Sequence, residues 1–252
     1  MILRRLGNKK KIAKEIQTHF PPHKIYIEPF FGAGGMFFNK PKAKYNIVND
    51  LDSDVFNLFQ VVMNNKAELE KAFYMMPIHS DLLEYYKKNE ETEPIKKAIR
   101  FLFLSNFTFL GGGEQMRTRA DNVKKDCYKY LDSTFDIISD INLSNFDFDL
   151  FLSKIEFRNL NDTFIYCDPP YINTNDNYSN SFTEADHIRL HEALEQTKCK
   201  FAISEFDNDF VLSEAKKRGL NIIYIGERQN LKNRRTEILI TNYESNQLKL
   251  DF

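Results

Sequence analysis

Asp168-Pro169-Pro170-Tyr171 is the stretch whose residue types and order could do chemistry. It follows Thr163-Phe164-Ile165-Tyr166-Cys167, an apolar, β-favouring run that predicts a buried strand. Two consecutive prolines end that strand and set φ at both positions. A carboxylate is thereby held before a stiff turn and an aromatic ring after it. In an open α/β sheet, the C-terminal end of a strand is where ligands bind. Taken alone, the string also suits an ordinary strand exit, with Asp as a polar stop and Tyr packing. The rest of the chain has to supply its partners.

Lys24 to Pro29 is a short β-rich run that leads into Phe30-Phe31-Gly32-Ala33-Gly34-Gly35. Gly32 and Gly34 would let the backbone approach a ligand closely. Phe37 stands where a dinucleotide fingerprint has its third glycine, so no pyrophosphate pattern is complete. Tyr45 to Asn49 predicts a second strand, ending at Asp50. An acid at that place can accept hydrogen bonds from ribose hydroxyls, and it lies near the ~20-residue spacing of such units. Asp50 could equally belong to an N-cap cluster with Asp52, Ser53 and Asp54, ahead of a helix with Val55, Leu58, Phe59 and Val62 on its apolar face. Strand, glycine turn, strand and acid together point to a nucleoside-containing ligand.

The 252 residues are enough for one large domain or a core with an insertion, and 42% hydrophobic content is globular. No apolar run approaches the ~18 residues of a membrane span, and the N-terminus lacks the apolar core of a signal peptide. Cys127, Cys167 and Cys199 share no metal-ligand spacing and suit reduced thiols of a cytoplasmic protein. Net charge is −1, but Lys and Arg gather near the start, at 117–125 (Arg117, Arg119, Lys124, Lys125) and at 228–235 (Arg228, Lys232, Arg234, Arg235). A polyanion needs local positive surface rather than a positive total; solvated helix faces would look the same.

A helix is expected over 9–20, stopped by Pro21-Pro22, and others over 66–76, 79–89 and 94–104. Gly111-Gly112-Gly113 opens a polar, basic loop or hairpin in which Gln115, Arg117 and Arg119 would share one face of an extended strand. Arg and Gln can read guanine and adenine edges, although solubilising residues would look similar. Further expectations are a helix over 133–140, a strand at 141–143, and Asp147 as N-cap of a helix through Leu152. Residues 155–157 stay unassigned. Asn173 to Ser181 reads as a polar loop, and Thr183 with Asp186 as a capping-box start of a helix to about Thr197. Strands follow at 200–204, 221–226 and 236–242, with a helix at 207–217. The alternation implies an α/β, doubly wound, mostly parallel sheet with helices on both faces. Residues 66–135 break it and form the expected inserted, mostly helical recognition domain; 1–65 and 136–252 form the catalytic domain.

In this order the motifs resemble the Dam-type, alpha-arrangement adenine-N6 DNA methyltransferases that use S-adenosylmethionine. DPPY after a hydrophobic strand is the most specific element. Glu28-Pro29-Phe30-Phe31-Gly32-Ala33-Gly34 is close to the family's glycine loop, Gly7-Asn8-Lys9 to its N-terminal motif, and Glu237 to Tyr243 to its terminal strand. The chain departs from the family at Arg5, at Leu104 to Gly111, and at Glu205, where Asn is usual.

The resemblance implies a Rossmann-like methyltransferase fold and a role for each matching residue. Lys9 would meet the methionine carboxylate and Gly32 and Gly34 would line the methionine, with Glu28, Phe30, Phe31 and Asp168 as further cofactor-binding residues. Asp50 would hold the ribose, and Asp147 with the Phe148 backbone would read the cofactor adenine. Asp168 and the Pro169 carbonyl would accept hydrogens from the target's exocyclic amine, with Pro170 stiffening the turn and Tyr171 stacking on a flipped base. Gln115, Arg117, Arg119, Lys124, Arg234 and Arg235 are the DNA-binding candidates. No metal is called for. The implied setting is a cytoplasmic, nucleoid-associated monomer acting on duplex DNA, with a cognate restriction endonuclease as a further partner. Cytosine-N4 or RNA-adenine methylation and a non-catalytic nucleic-acid binder are the alternatives; a nicotinamide oxidoreductase is remote, given Phe37.

Overall fold

A computed structural model describes residues 2–3, 9–117, 122–172, 182–229 and 234–245. In chain order the elements are α1 (Ala13–Gln17), β1 (Ile25–Glu28), β2 (Tyr45–Asn49), α2 (Ser53–Asn64), α3 (Lys66–Met75), α4 (Ser80–Lys88), α5 (Pro94–Phe107) and α6 (Val123–Ile138). Then come β3 (Asn142–Ser144), α7 (Phe148–Ser153), β4 (Thr163–Cys167), α8 (Glu184–Thr197), β5 (Lys200–Phe206), α9 (Asp209–Lys217), β6 (Asn221–Gln229) and β7 (Arg234–Thr241).

The strands make one seven-stranded sheet in the order β3-β2-β1-β4-β5-β7-β6. The pairs from β3 to β5 are parallel, and β7 runs antiparallel to both β5 and β6. The chain winds outward from β1 in one direction and from β4 in the other. The C-terminal ends of these two strands therefore flank the topological switch point, where doubly wound sheets bind ligands.

All five β4 residues are buried. Phe164 and Tyr166 join the core on one face, and Ile165 and Cys167 the core on the other. That alternation makes a strand covered on both sides read as a continuous apolar run. The first face also carries residues of α2, α3, α5 and α6, so the helical region after β2 shares a hydrophobic cluster with the sheet. The second face carries α7, α8 and α9.

Local signals place the helix starts. Asp52 accepts from the Asp54 N–H at 2.9 Å, Glu93 caps α5 ahead of Pro94, and Thr183 with Asp186 forms the full reciprocal capping box. Two expectations are corrected. The helix over 9–20 is instead a 3-10 turn at Lys9–Lys11 followed by the five-residue α1. Its departure from a regular helix lies at Ile12, with φ −112° and ψ 1°, beside a Lys9 whose side chain is drawn inward. The helix placed over 133–140 begins ten residues earlier, at Val123. Val123, Cys127, Leu131, Thr134 and Ile138 form its buried stripe, and that apolar spacing outweighs the basic residues between them. The expected domain boundary at 135 falls inside α6.

Candidate active site

Asp168 leaves β4 at the switch point, half-buried, with Pro169 buried behind it. The Lys9 ammonium lies 2.8 Å from Asp168 Oδ1 and 3.1 Å from Glu237 Oε1. Lys9 also donates to the Tyr171 hydroxyl, and that hydroxyl donates to Glu237 Oε1 at 2.5 Å. Residues from the turn ahead of α1, the β4 exit and β7 thus close one hydrogen-bonded ring. Lys9 and Glu237 are almost wholly buried there. Burial, then the negative charges of Asp168 and Glu237, push the Tyr171 phenol well above its ordinary pKa. Its proton therefore stays on, consistent with donation to Glu237. The Tyr171 ring meets Phe206 edge-on at 4.5 Å, and the Arg235 guanidinium lies 5.5 Å from the Phe206 ring.

On the β1 side, Glu28 is buried and accepts from the Tyr26 hydroxyl at 2.8 Å. Burial raises its carboxyl pKa well above the usual range; the Tyr26 hydrogen bond opposes this, and Asp168 and Asp50 add to it. The chain then turns through Gly32 and Gly34, at φ +53° and +71°. A Cβ on Gly34 would fall 2.3 Å from a Phe38 ring carbon. A Cβ on Gly32 would meet nothing within 4 Å, so the backbone there borders open space. Asp50, at the end of β2, accepts from the Gly32 N–H at 2.5 Å and from the Asp52 N–H at 2.8 Å. The acid considered for a ribose thus also ties the glycine loop to the second strand.

Asp147 caps α7 through the Asp149 N–H, and Arg189 of α8 donates to both its carboxylate oxygens, at 2.9 and 3.1 Å. The same guanidinium stacks over Phe148, 4.3 Å from its centroid. Phe148 meets Phe30 at 5.4 Å, and Phe182 completes an aromatic group beside the glycine loop. Phe31 is buried in the core against Phe59.

The nucleic-acid candidates are dispersed. Gln115 and Arg117 pair through their backbones with Phe109 and Phe107 across the glycine turn, a short antiparallel pairing that matches the hairpin expected after Gly111-Gly112-Gly113. Gln115 is exposed; the Arg117 guanidinium donates to the Asn106 carbonyl at 3.1 Å. Lys124 donates to the Tyr74 and Met76 carbonyls at the end of α3. Arg119, the Arg234 side chain, Arg5, Gly7-Asn8 and the loop 173–181 lie outside the described residues.

Three residues carry more of the site than the sequence reading assigned them. Glu237 was visible only within a terminal-strand motif, and Arg189 had no local signal because its partner lies on another element. Glu205 was noted as a departure from the family. It is fully buried at the end of β5, with Oε1 accepting from the Phe206 N–H at 2.8 Å and Oε2 without a hydrogen-bond partner among the described residues. Burial pushes its carboxyl up to about 8, against the Phe206 and Ile172 amides and the charge of Lys9. Among the described residues, no group of three or more His, Cys, Asp or Glu is arranged to hold a metal ion. No helix there is long and apolar enough to cross a membrane.

The model of the D12 class N6 adenine-specific DNA methyltransferases matches residues 6–238, which takes in the Lys9 turn, the glycine loop, DPPY and Glu237. The chain belongs to that family. Among curated proteins, the DNA adenine methylase of Haemophilus influenzae is 32% identical over 177 residues, 66% of this chain and 61% of that protein. The match thus spans less than two thirds of that relative's length. The DNA adenine methylase of Salmonella typhi is 26% identical over 204 residues, 75% of this chain and 73% of that protein. Among solved structures, the rRNA methyltransferase aviRa from Streptomyces viridochromogenes is 8% identical with a TM-score of 0.40, over 92% of this chain and 82% of that one. At that level the α/β assignment rests on the seven-stranded sheet itself.

Proposed function

We propose that the protein transfers a methyl group from S-adenosylmethionine to the N6 amine of a flipped adenine in duplex DNA. The observation that carries this reading is Asp168, with the Pro169 carbonyl beside it, held at the switch point by Lys9, Tyr171 and Glu237.

The open backbone at Gly32 supports a fit for the cofactor: a ligand can lie against the loop where any side chain would project. In this reading Gly32 and Gly34 line the methionine, with Glu28 beneath. Asp50 offers its carboxylate to the ribose, and Phe30, Phe148 and Asp147 flank the cofactor adenine. When bound, the cofactor supplies an electrophilic methyl on a sulfonium.

An exocyclic amine is a poor nucleophile because its lone pair delocalises into the ring. Asp168 and the Pro169 carbonyl accept its two hydrogens and favour a pyramidal nitrogen whose lone pair is free to point at the methyl. As positive charge develops on that nitrogen, Asp168 stabilises it, an effect worth several kcal/mol in a dry site. Pro169 and Pro170 supply alignment by stiffening the turn. Tyr171 contributes a ring surface that offsets unstacking of the target base. DNA would approach across Gln115, Arg117, Arg119, Lys124, Arg234 and Arg235, with the helical region 66–135 as the recognition part. Duplex DNA is the partner, bound by a monomer, and a cognate endonuclease would share the recognition sequence.

Labelled methyl transfer to genomic DNA by wild type and Asp168→Ala tests the reading. Incorporation by wild type that disappears in the variant is expected; equal incorporation by both would overturn it.

A further inference from the structure

Lys9 has three N–H donors, and the structure gives each a partner: Asp168 Oδ1, Glu237 Oε1 and the Tyr171 hydroxyl. Glu237 closes the ring by accepting from Tyr171. With its donors committed in this way, the buried ammonium is aimed at the amine clamp. The site is also rich in acids: Asp168 is faced by Glu28 from β1, Glu205 from β5, and the Tyr166, Cys167 and Tyr171 side chains. Glu237 approaches from β7 through the shared lysine. Gathering carboxylates in a buried place favours taking up a proton, and a protonated Asp168 would be a poorer acceptor for the target amine.

We propose that Lys9 and Glu237 are a positioning pair for the target amine's site: Lys9 keeps Asp168 ionised and oriented, and Glu237 holds both Lys9 and Tyr171 in place. This rests on the function proposed above and assigns Lys9 to the clamp rather than to the cofactor's carboxylate. Removing one partner of a buried ion pair leaves the other charge uncompensated, so the two substitutions have opposite electrostatic consequences. Without Lys9, the carboxylates repel and one takes up a proton. Without the Glu237 charge, Asp168 loses a like-charged neighbour.

The test uses K9M and E237Q in the full chain. S-adenosylmethionine affinity is measured by calorimetry, and single-turnover methyl transfer at saturating cofactor is followed from pH 5 to 9. K9M is expected to keep its cofactor Kd within about threefold while its transfer rate falls roughly a hundredfold at neutral pH. Its acid limb should move up, whereas that of E237Q should move down. K9R, which restores the charge, should return part of the rate. A cofactor Kd weakened more than about tenfold in K9M, with the saturated rate intact, would place Lys9 on the cofactor and overturn the inference. Acid limbs unmoved in both variants would do the same. If K9M does not fold, the direction of the E237Q shift decides. A wild type inactive on every DNA would count against the function reading instead; the cofactor Kd comparison needs no DNA, and a K9M Kd weakened more than about tenfold there would still place Lys9 on the cofactor and overturn this inference.

Discussion

Lys9 and Asp168, one from the 3-10 turn ahead of α1 and one from the exit of β4, meet at 2.8 Å with the lysine almost wholly buried. The contact links Lys9, ahead of α1, directly to the stretch Asp168 to Tyr171 after β4. It also makes the sheet's switch point a place of paired charge rather than an open carboxylate, with Glu237 and Tyr171 completing the set.

Gly32 separates folding from cofactor binding. A methyl there meets nothing within 4 Å, but φ is +53°, so Gly32→Ala should cost about 1–2 kcal/mol of stability. The same methyl would occupy the space proposed for the methionine. Thermal melts should then show a folded variant whose melting temperature no longer rises with S-adenosylmethionine. A full cofactor-induced rise would remove the glycine loop from the proposed site.

Glu205 makes stability fall on the alkaline side. Its folded pKa is raised to about 8 from 4.5, so the folded state holds a proton that the unfolded state releases above about 4.5. The contribution is therefore full below pH 4.5 and is lost as pH rises towards 8, a change on the order of a few kcal/mol. Glu205→Gln, which mimics the neutral acid in shape, should gain over wild type in denaturant melts at pH 8.5 and gain least near pH 5. Parallel pH profiles for the two proteins would contradict the burial argument.

His187 and His191 act at the other end. Both are fully buried on α8, 4.7 Å apart ring to ring, and none of their four ring nitrogens has a hydrogen-bond partner among the described residues. Burial lowers their pKa values to about 4 and about 3; the charge of Arg218 adds to this for both, and Glu214 opposes it at His187. A histidine held neutral by the fold contributes stability above 6.5 that is lost as pH falls towards those values. Between pH 6.5 and 5 the pair should forfeit up to roughly 4 kcal/mol. Unfolding of His187→Phe/His191→Leu, compared at pH 7 and pH 5, should show a much smaller acid loss. An acid loss equal to wild type would sink the idea.

Much of the frame could be read from local chemistry. The β2 and β4 boundaries agree with the expected runs because each is a short β-rich segment closed by an acid. The α8 start was legible because its capping box is a spacing of two residues in one turn. What escaped was non-local. The inward turn at Lys9 depends on Asp168 and Glu237, which belong to strands far along the chain, so helical periodicity alone overextended α1. Arg189 closes on Asp147 from a different helix, and nothing beside either residue announces the other. The start of α6 was hidden because its basic residues suggested a loop while its buried stripe continued beneath them.

The most direct test of the central claim is to treat duplex DNA with the purified protein and S-adenosylmethionine, digest it to nucleosides and identify the methylated product by mass. N6-methyladenine from wild type, and none from Asp168→Ala, is the predicted result. N4-methylcytosine in its place, or no methylated nucleoside from any DNA, would contradict it.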